Sequence, residues 1–137
     1  MFVDASAIIA ILAREPEADE FSDILEKADR RITSPIAVFE ATLGLLRIRT
    51  TGVEQAARDV NDFLAIAGIE CTDIASGDGA AAIAAFSKYG TGRDHPARLN
   101  MGDCFAYAVA KNRGMSLLFK GDDFARTDIR RAARVKR

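Results

Sequence analysis

Hydrophobic positions along the chain fall into two kinds of pattern, short continuous runs and helically spaced sets, and they alternate. Residues 1 to 4 form a short apolar run ending in Asp4, and Ser6 is placed to cap a following helix through about Arg14, so the pattern predicts strand and then helix. A helix over roughly 16 to 29 comes next. Ile32-Thr33-Ser34-Pro35 is a short extended piece whose last two residues serve as N-cap and first residue of a helix to about Arg49. Val53, Ala56, Ala57, Val60, Phe63, Leu64 and Ala67 then recur at helical spacing until Gly68 stops them. Ile69 to Ile74 reads as a strand, and Ser76 opens an alanine-rich helix through about Tyr89. Residues 90 to 96 carry turn chemistry without periodicity and predict a surface loop. Asn100 caps a helix from Met101 to about Arg113, Gly114 ends it, and Met115 to Phe119 makes a last strand.

Strands that alternate with helices predict an α/β fold with a mainly parallel sheet covered on both faces. With 137 residues, no repeat and no linker, residues 1–137 are expected to form one domain with a core of its own. In such sheets ligands bind beyond the carboxyl ends of the strands, and Asp4, Asp122 and Asp123 all fall just past predicted strand ends.

Composition narrows the class without naming a function. Apolar residues at 49% and charged residues at 28% exclude a disordered chain. The first apolar stretch has no basic residues before it and holds Asp4, so it is read neither as a signal peptide nor as a membrane span. Cys71 and Cys104 lack metal-binding or redox spacing and are expected to be reduced core thiols of a cytoplasmic protein. A net charge of -1 does not announce a nucleic-acid binder, yet the C-terminus gathers Arg130, Arg131, Arg134, Lys136 and Arg137 with no acid after Asp128. That tail suits phosphate contact and a solvated terminus equally. The same two readings apply to Arg14, Arg47, Lys111 and Arg113.

Three acids do not fit their surroundings. Asp4 is the only charged residue between Met1 and Ala13, Glu40 between Ile32 and Leu46, and Asp103 between Leu99 and Ala110. A carboxylate drawn into an apolar environment costs several kcal/mol unless compensated, and no arginine or lysine lies beside any of the three. Bland accounts exist. Asp103 sits in the first turn of its helix, where the macrodipole favours negative charge, and Asp4 could simply end a strand and cap a helix. Glu40, in mid-helix among Ile36, Phe39, Leu43 and Leu46, has no such account. A shared divalent cation, Mg²⁺ or Mn²⁺, would compensate all three at once. Carboxylates around such an ion can activate water toward a phosphodiester.

Other chemistries find less support. His95 is the only histidine, which excludes a two-histidine ribonuclease mechanism; it stands between Arg93 and Arg98 as a substrate contact or a solvated side chain. A haloacid-dehalogenase-like phosphatase needs a second acid two residues after the first, where this chain has Ser6. A receiver domain needs a phosphoacceptor on a middle strand, for which Asp73 and Lys120 are poor stand-ins.

In order and spacing, several segments resemble the PIN-domain ribonucleases, and within them the VapC-type toxins of type II toxin-antitoxin pairs. They are Val3-Asp4-Ala5-Ser6-Ala7, Ser34 to Glu40, Asn100-Met101-Gly102-Asp103-Cys104, and Lys120-Gly121-Asp122-Asp123-Phe124 followed by Thr127-Asp128-Ile129. The resemblance runs over nearly the whole chain. It implies a three-layer α/β/α PIN-like domain and a metal-dependent endoribonuclease that cuts tRNA or rRNA with Mg²⁺ or Mn²⁺ held by Asp4, Glu40 and Asp103. It implies Ser6 as support for Asp4, a cognate VapB-type antitoxin, and a homodimer that assembles with the antitoxin into a heterotetramer or larger. Many members carry a fourth acid where this chain has Gly121; Asp122 is the first choice for that role, with Asp123 and Asp128 as substitutes. Ile8, Ile9, Leu12, Leu43 and Leu46 exceed what one core readily holds, so part of this set is assigned to a partner surface. The competing reading is a catalytically weak PIN-like module that binds RNA or a protein partner.

Overall fold

A computed structural model describes residues 1–133. In chain order it contains β1 (Phe2–Val3), α1 (Ala5–Leu12), α2 (Ala18–Lys27), β2 (Ile32–Thr33), α3 (Pro35–Ile48), α4 (Val53–Ala67), β3 (Glu70–Cys71), α5 (Ser76–Tyr89), α6 (Met101–Asn112) and β4 (Leu117–Leu118), followed by a 3₁₀ turn, Phe124–Arg126. The strands form one sheet in the order β3-β2-β1-β4, parallel throughout, with Phe2 opposite Ile32 and Leu117 and with Val3 opposite Leu118. Six helices flank it, giving the expected three-layer α/β/α arrangement.

All four strands are shorter than the apolar runs predict. Asp4 and Ser34 each become an N-cap directly after the second strand residue, so neither β1 nor β2 can continue the ladder. Residues past Cys71 therefore lose their partner strand after one further bond, Thr72 N–H to the Thr33 carbonyl at 2.9 Å. The cap of α1 is also reassigned. It is Asp4, whose carboxylate accepts from the Ser6 backbone, and not Ser6. Ser34 and Pro35, Gly68 in the left-handed region (φ 64°), and Asn100 act as the sequence predicts. The helix expected over 16 to 29 contracts to Ala18–Lys27.

Fully buried Phe2, Ile32, Leu117 and Leu118 from the sheet meet Ile8, Leu45, Val60 and Val109 from the helices. Each large apolar side chain placed this way contributes roughly 1.5–3 kcal/mol. The surplus apolar set resolves accordingly: Ile8 is core, Ile9, Leu12 and Leu46 pack partly against it, and Leu43 stays exposed beside the far more exposed Phe39. Cys104 is buried as expected, whereas Cys71 is exposed because it sits on the edge strand β3. Of the basic tail, Arg131 pairs with Leu117 beyond β4 and lays its guanidinium 4.5 Å from the centre of the Phe119 ring. Arg134, Lys136 and Arg137 lie outside the described residues. Among the described residues no helix is long and apolar enough to cross a membrane.

Candidate active site

Asp4 stands at the carboxyl end of β1, between the ends of β2 and β4, and is only 4% exposed. Its backbone N–H donates to the Leu118 carbonyl at 3.0 Å, which fixes it to the sheet. Oδ2 accepts from the Ser6 backbone at 3.0 Å and from the Ser6 hydroxyl at 2.6 Å. Oδ1 is buried without a hydrogen-bond partner. Burial pushes the Asp4 carboxyl up from its ordinary value, and the Ser6 bonds offset only part of that. Ser6 serves as more than a support for Asp4, since its hydroxyl also accepts from the Lys120 N–H at 3.0 Å and so ties the start of α1 to the segment after β4.

Glu40 projects from α3, the helix launched by Ser34, whose hydroxyl oxygen accepts from the Ala37 N–H at 3.2 Å. Half-buried, it is pushed up to about 7, first by burial and then by the charges of Asp4 and Asp103. Its carboxyl group lies on the backbone of α6: a Cβ built on Gly102 would stand 2.2 Å from Oε2 and 2.3 Å from Cδ. Glycine at this position is therefore a matter of space.

Asp103 occupies the third position of α6. The Asn100 side chain accepts from the Asp103 N–H at 2.8 Å, and Asp103 Oδ2 accepts from the Asn100 N–H at 3.1 Å. This capping box occupies one oxygen of Asp103 only. Burial pushes the carboxyl up to about 6 against that hydrogen bond, with Asp4 and Asp123 adding to the rise.

The tract after β4 separates the three remaining acids. Asp122 and Asp123 are both exposed, and it is the charge of Asp123 that acts on Asp103. Asp128 is committed elsewhere: the Tyr107 hydroxyl donates to it, Lys111 pairs with it at 3.1 Å, and these partners hold it below the usual carboxylate range. His95 accepts on Nδ1 from the Ala97 N–H at 3.0 Å and packs edge-on against Tyr89, so its ring is held by its own loop and by α5. Arg113 forms an ion pair with Asp78 at 3.0 Å, which removes it from the set of free helix-face cations.

Two features escape the sequence reading. Gly102 is one, although a glycine in the first turn of a helix is itself a signal of close approach. The other is a clamp on the segment after β4, in which Lys120 Nζ lies 2.7 Å from Glu15 Oε2 and 3.2 Å from Glu17 Oε2. Glu15-Pro16-Glu17 offers no hint of a partner more than a hundred residues away.

Among the described residues no three His, Cys, Asp or Glu side chains already stand at the spacing of a metal cluster. Asp4, Glu40, Asp103 and Asp123 nonetheless lie near enough for their charges to act on one another, Asp4 and Asp103 on Glu40, and Asp4 and Asp123 on Asp103. The unpartnered buried Oδ1 of Asp4, the all-oxygen donor set and the lack of any cation paired to these acids among the described residues fit a hard divalent ion.

The family model described as PIN domain matches residues 1–130. A VapC ribonuclease of Rhizobium meliloti (strain 1021) is 40% identical, covering 93% of this chain and 98% of its own. Ribonuclease VapC30 of Mycobacterium tuberculosis is 39% identical, covering 94% and 95%. Among solved structures, that of VapC20 of Mycobacterium tuberculosis, a Sarcin-Ricin loop cleaving toxin, superposes with a TM-score of 0.75 over 97% of this chain and 98% of its own. At 15% sequence identity that likeness speaks for the fold alone.

Proposed function

Since the chain belongs to the PIN-domain family and stands among its VapC ribonucleases, we propose that it is a divalent-metal-dependent endoribonuclease acting as the toxin of a toxin-antitoxin pair. Its substrate is tRNA or rRNA, and Mg²⁺ or Mn²⁺ is held by Asp4, Glu40 and Asp103. The fourth acid comes from the 122–123 pair, with Asp123 favoured over Asp122 because its charge acts on Asp103. The observation that carries the reading is the buried, unpartnered Oδ1 of Asp4, in a carboxylate that raises the proton affinity of two neighbouring acids.

When bound, the cation supplies Lewis acidity, making a water more acidic and offsetting charge on the leaving oxygen. The chain's own contribution is positional. Ser6 and the α1 N-terminus fix Asp4, the Gly102 surface seats Glu40, the Asn100 cap orients Asp103, and Lys120, clamped by Glu15 and Glu17, anchors the segment bearing Asp123. No side-chain nucleophile is needed. A cognate VapB-type antitoxin is the partner, and the toxin works as a homodimer that joins it in larger assemblies. Exposed Phe39, Ile48, Ile83 and Met101 supply apolar area suited to such contacts.

The purified protein is expected to cleave RNA with Mg²⁺ or Mn²⁺ and to stop in EDTA, and Asp4→Asn is expected to bind RNA without cutting it. Undiminished cleavage in EDTA or by Asp4→Asn would remove the metal-site reading. A weakly catalytic binding module would show RNA or protein binding with no metal-dependent cleavage by the unaltered chain.

A further inference from the structure

The acids of the candidate site repel RNA phosphates, and a net charge of -1 offers no general attraction to offset this. Cations must then be supplied locally. The segment between α5 and α6 is placed to do so. It ends at Leu99, and the next residue, Asn100, caps α6 and hydrogen-bonds Asp103.

This segment is a built element. Gly90 and Leu99 pair at its base, the Thr91 N–H donates to the Leu99 carbonyl and the Leu99 N–H to the Tyr89 carbonyl, both at 2.9 Å. The Thr91 hydroxyl reaches the carbonyls of Arg98 and Leu99 at 3.1 and 3.2 Å. His95 is fixed by the Ala97 N–H on Nδ1 and by Tyr89, with ring centroids 4.9 Å apart. Because Nδ1 accepts, the neutral ring carries its proton on Nε2, leaving that donor for a ligand.

Asp94 and Arg98 lie in the left-handed region, at φ 58° and 53°; Arg14 is the other non-glycine residue there among those described. Each such residue costs on the order of 1 kcal/mol, and persists only where the surroundings over-determine it. The result is an open cleft of about 590 Å³ lined by Thr91, Gly92, Asp94, His95, Pro96 and Arg98. Arg93 and Arg98 are exposed and enter no ion pair among the described residues, so two arginines against Asp94 leave the loop with one net positive charge.

We infer that residues 91–98 form a grip for the RNA backbone, in which Arg98 and the Nε2–H of His95, lining the cleft, hold a phosphate flanking the bond presented to Asp103 and its neighbours, while exposed Arg93 adds positive charge on the same loop. The grip rests on the ribonuclease reading and deepens it. Arginine suits the task because its fork of donors matches phosphate oxygens. The contact is sequence-independent and positions the strand without reading bases.

The test measures binding of a fluorescein-labelled RNA hairpin, with Mg²⁺, in the Asp4→Asn background, and steady-state cleavage in the otherwise unaltered protein. Replacing Arg93 and Arg98 together by alanine is expected to weaken binding about tenfold and to flatten the salt dependence by about 0.7–0.9 in log-log slope, the change for one phosphate contact. In cleavage, KM rises while kcat stays. Arg98→Gly separates this from folding damage: relief of the left-handed backbone keeps or raises the melting temperature, while RNA binding still weakens. If the unaltered protein cleaves RNA but these variants bind with the same affinity and slope, the grip is wrong and the ribonuclease reading stands. If the unaltered protein neither binds nor cleaves RNA, the ribonuclease reading falls and the grip falls with it.

Discussion

Asp4 and Asp78 are both buried acids at helix starts, 4% and 3% exposed, and they differ in everything that decides what a buried acid does. Around Asp78 every need is met. Arg113 donates to both oxygens at 3.0 and 3.2 Å, Asn112 adds a bond at 3.0 Å, and the Ala75 N–H another at 2.9 Å. The Arg113 guanidinium and these donors hold the carboxyl down to about 2. Asp4 has the Ser6 bonds and a smaller contribution from the Ala5 N–H, no cation, an oxygen without a hydrogen-bond partner, and a proton affinity raised by burial. Burial of a charge therefore does not mark a reactive site. Incomplete compensation is what nominates one: Asp78 joins the start of α5 to the end of α6, while the unpartnered Oδ1 of Asp4 suits it to the proposed metal.

That contrast can be broken most sharply by removing each carboxylate in turn. Asp4→Asn is expected to lower cleavage by more than about a hundredfold with an unchanged or higher melting temperature, because an uncompensated buried charge disappears. Asp78→Ala is expected to destabilise the fold by about 2–4 kcal/mol, by stranding Arg113, yet to leave specific activity near normal below its melting point. Thermal melts and initial rates on the two variants decide the matter; an active Asp4→Asn or an inactive but fully stable Asp78→Ala would erase the distinction.

Gly102→Ala tests the seat of Glu40. The added Cβ must displace a carboxyl group 2.2–2.3 Å away, so cleavage is expected to fall about tenfold to a hundredfold with little loss of stability, because what moves is the free end of a flexible side chain. A variant with unaltered rates would show that Glu40 need not lie where it does.

Acid titration of stability should show the two regions with opposite signs. Asp78 has a folded value below its unfolded one, so its contribution is complete above about pH 4 and is lost as pH falls toward 2. Glu40 and Asp103, raised to about 7 and about 6, oppose folding when charged, so metal-free protein is expected to gain stability as pH falls from about 7.5 to 5. Urea denaturation midpoints across this range read both limbs, and Asp78→Asn should lose only the lower one. The smallest effect is expected for Ser6→Ala, about 1 kcal/mol in stability and on the order of tenfold in cleavage, since Asp4 and Lys120 lose a shared hydroxyl but not their places.

The same contrast explains what was legible in the sequence. Asp4, Glu40 and Asp103 stood out because each interrupts an apolar segment, and the periodicity around them placed their helices correctly. Asp78 did not stand out: it sits between Gly77 and Gly79 in an ordinary helix start, and its partner Arg113 is 35 residues away, where it reads as one more solvated cation. The tract after β4 was ambiguous for another reason. Which of Asp122 and Asp123 acts on Asp103 depends on the turn made at Gly121, at φ 102°, and on Lys120 being anchored by Glu15 and Glu17, neither of which has a local signature. Apolar runs outlast the strands because hydrophobicity reports burial, whereas the ladder ends where a neighbouring segment turns into a cap.

The hydrogen bond from the Lys120 N–H to the Ser6 hydroxyl spans 114 residues. Closing a loop of that length costs about 4 kcal/mol in chain entropy, before any constant. The bond forms only when the last strand has docked beside the first. In a chain made from its N-terminus, Asp4, Glu40 and Asp103 all precede β4, so the acids are in the chain before the Asp4 backbone has the Leu118 carbonyl to bind. Until β4 docks beside β1, the candidate acids have no finished sheet to hold them, a delay that topology alone enforces.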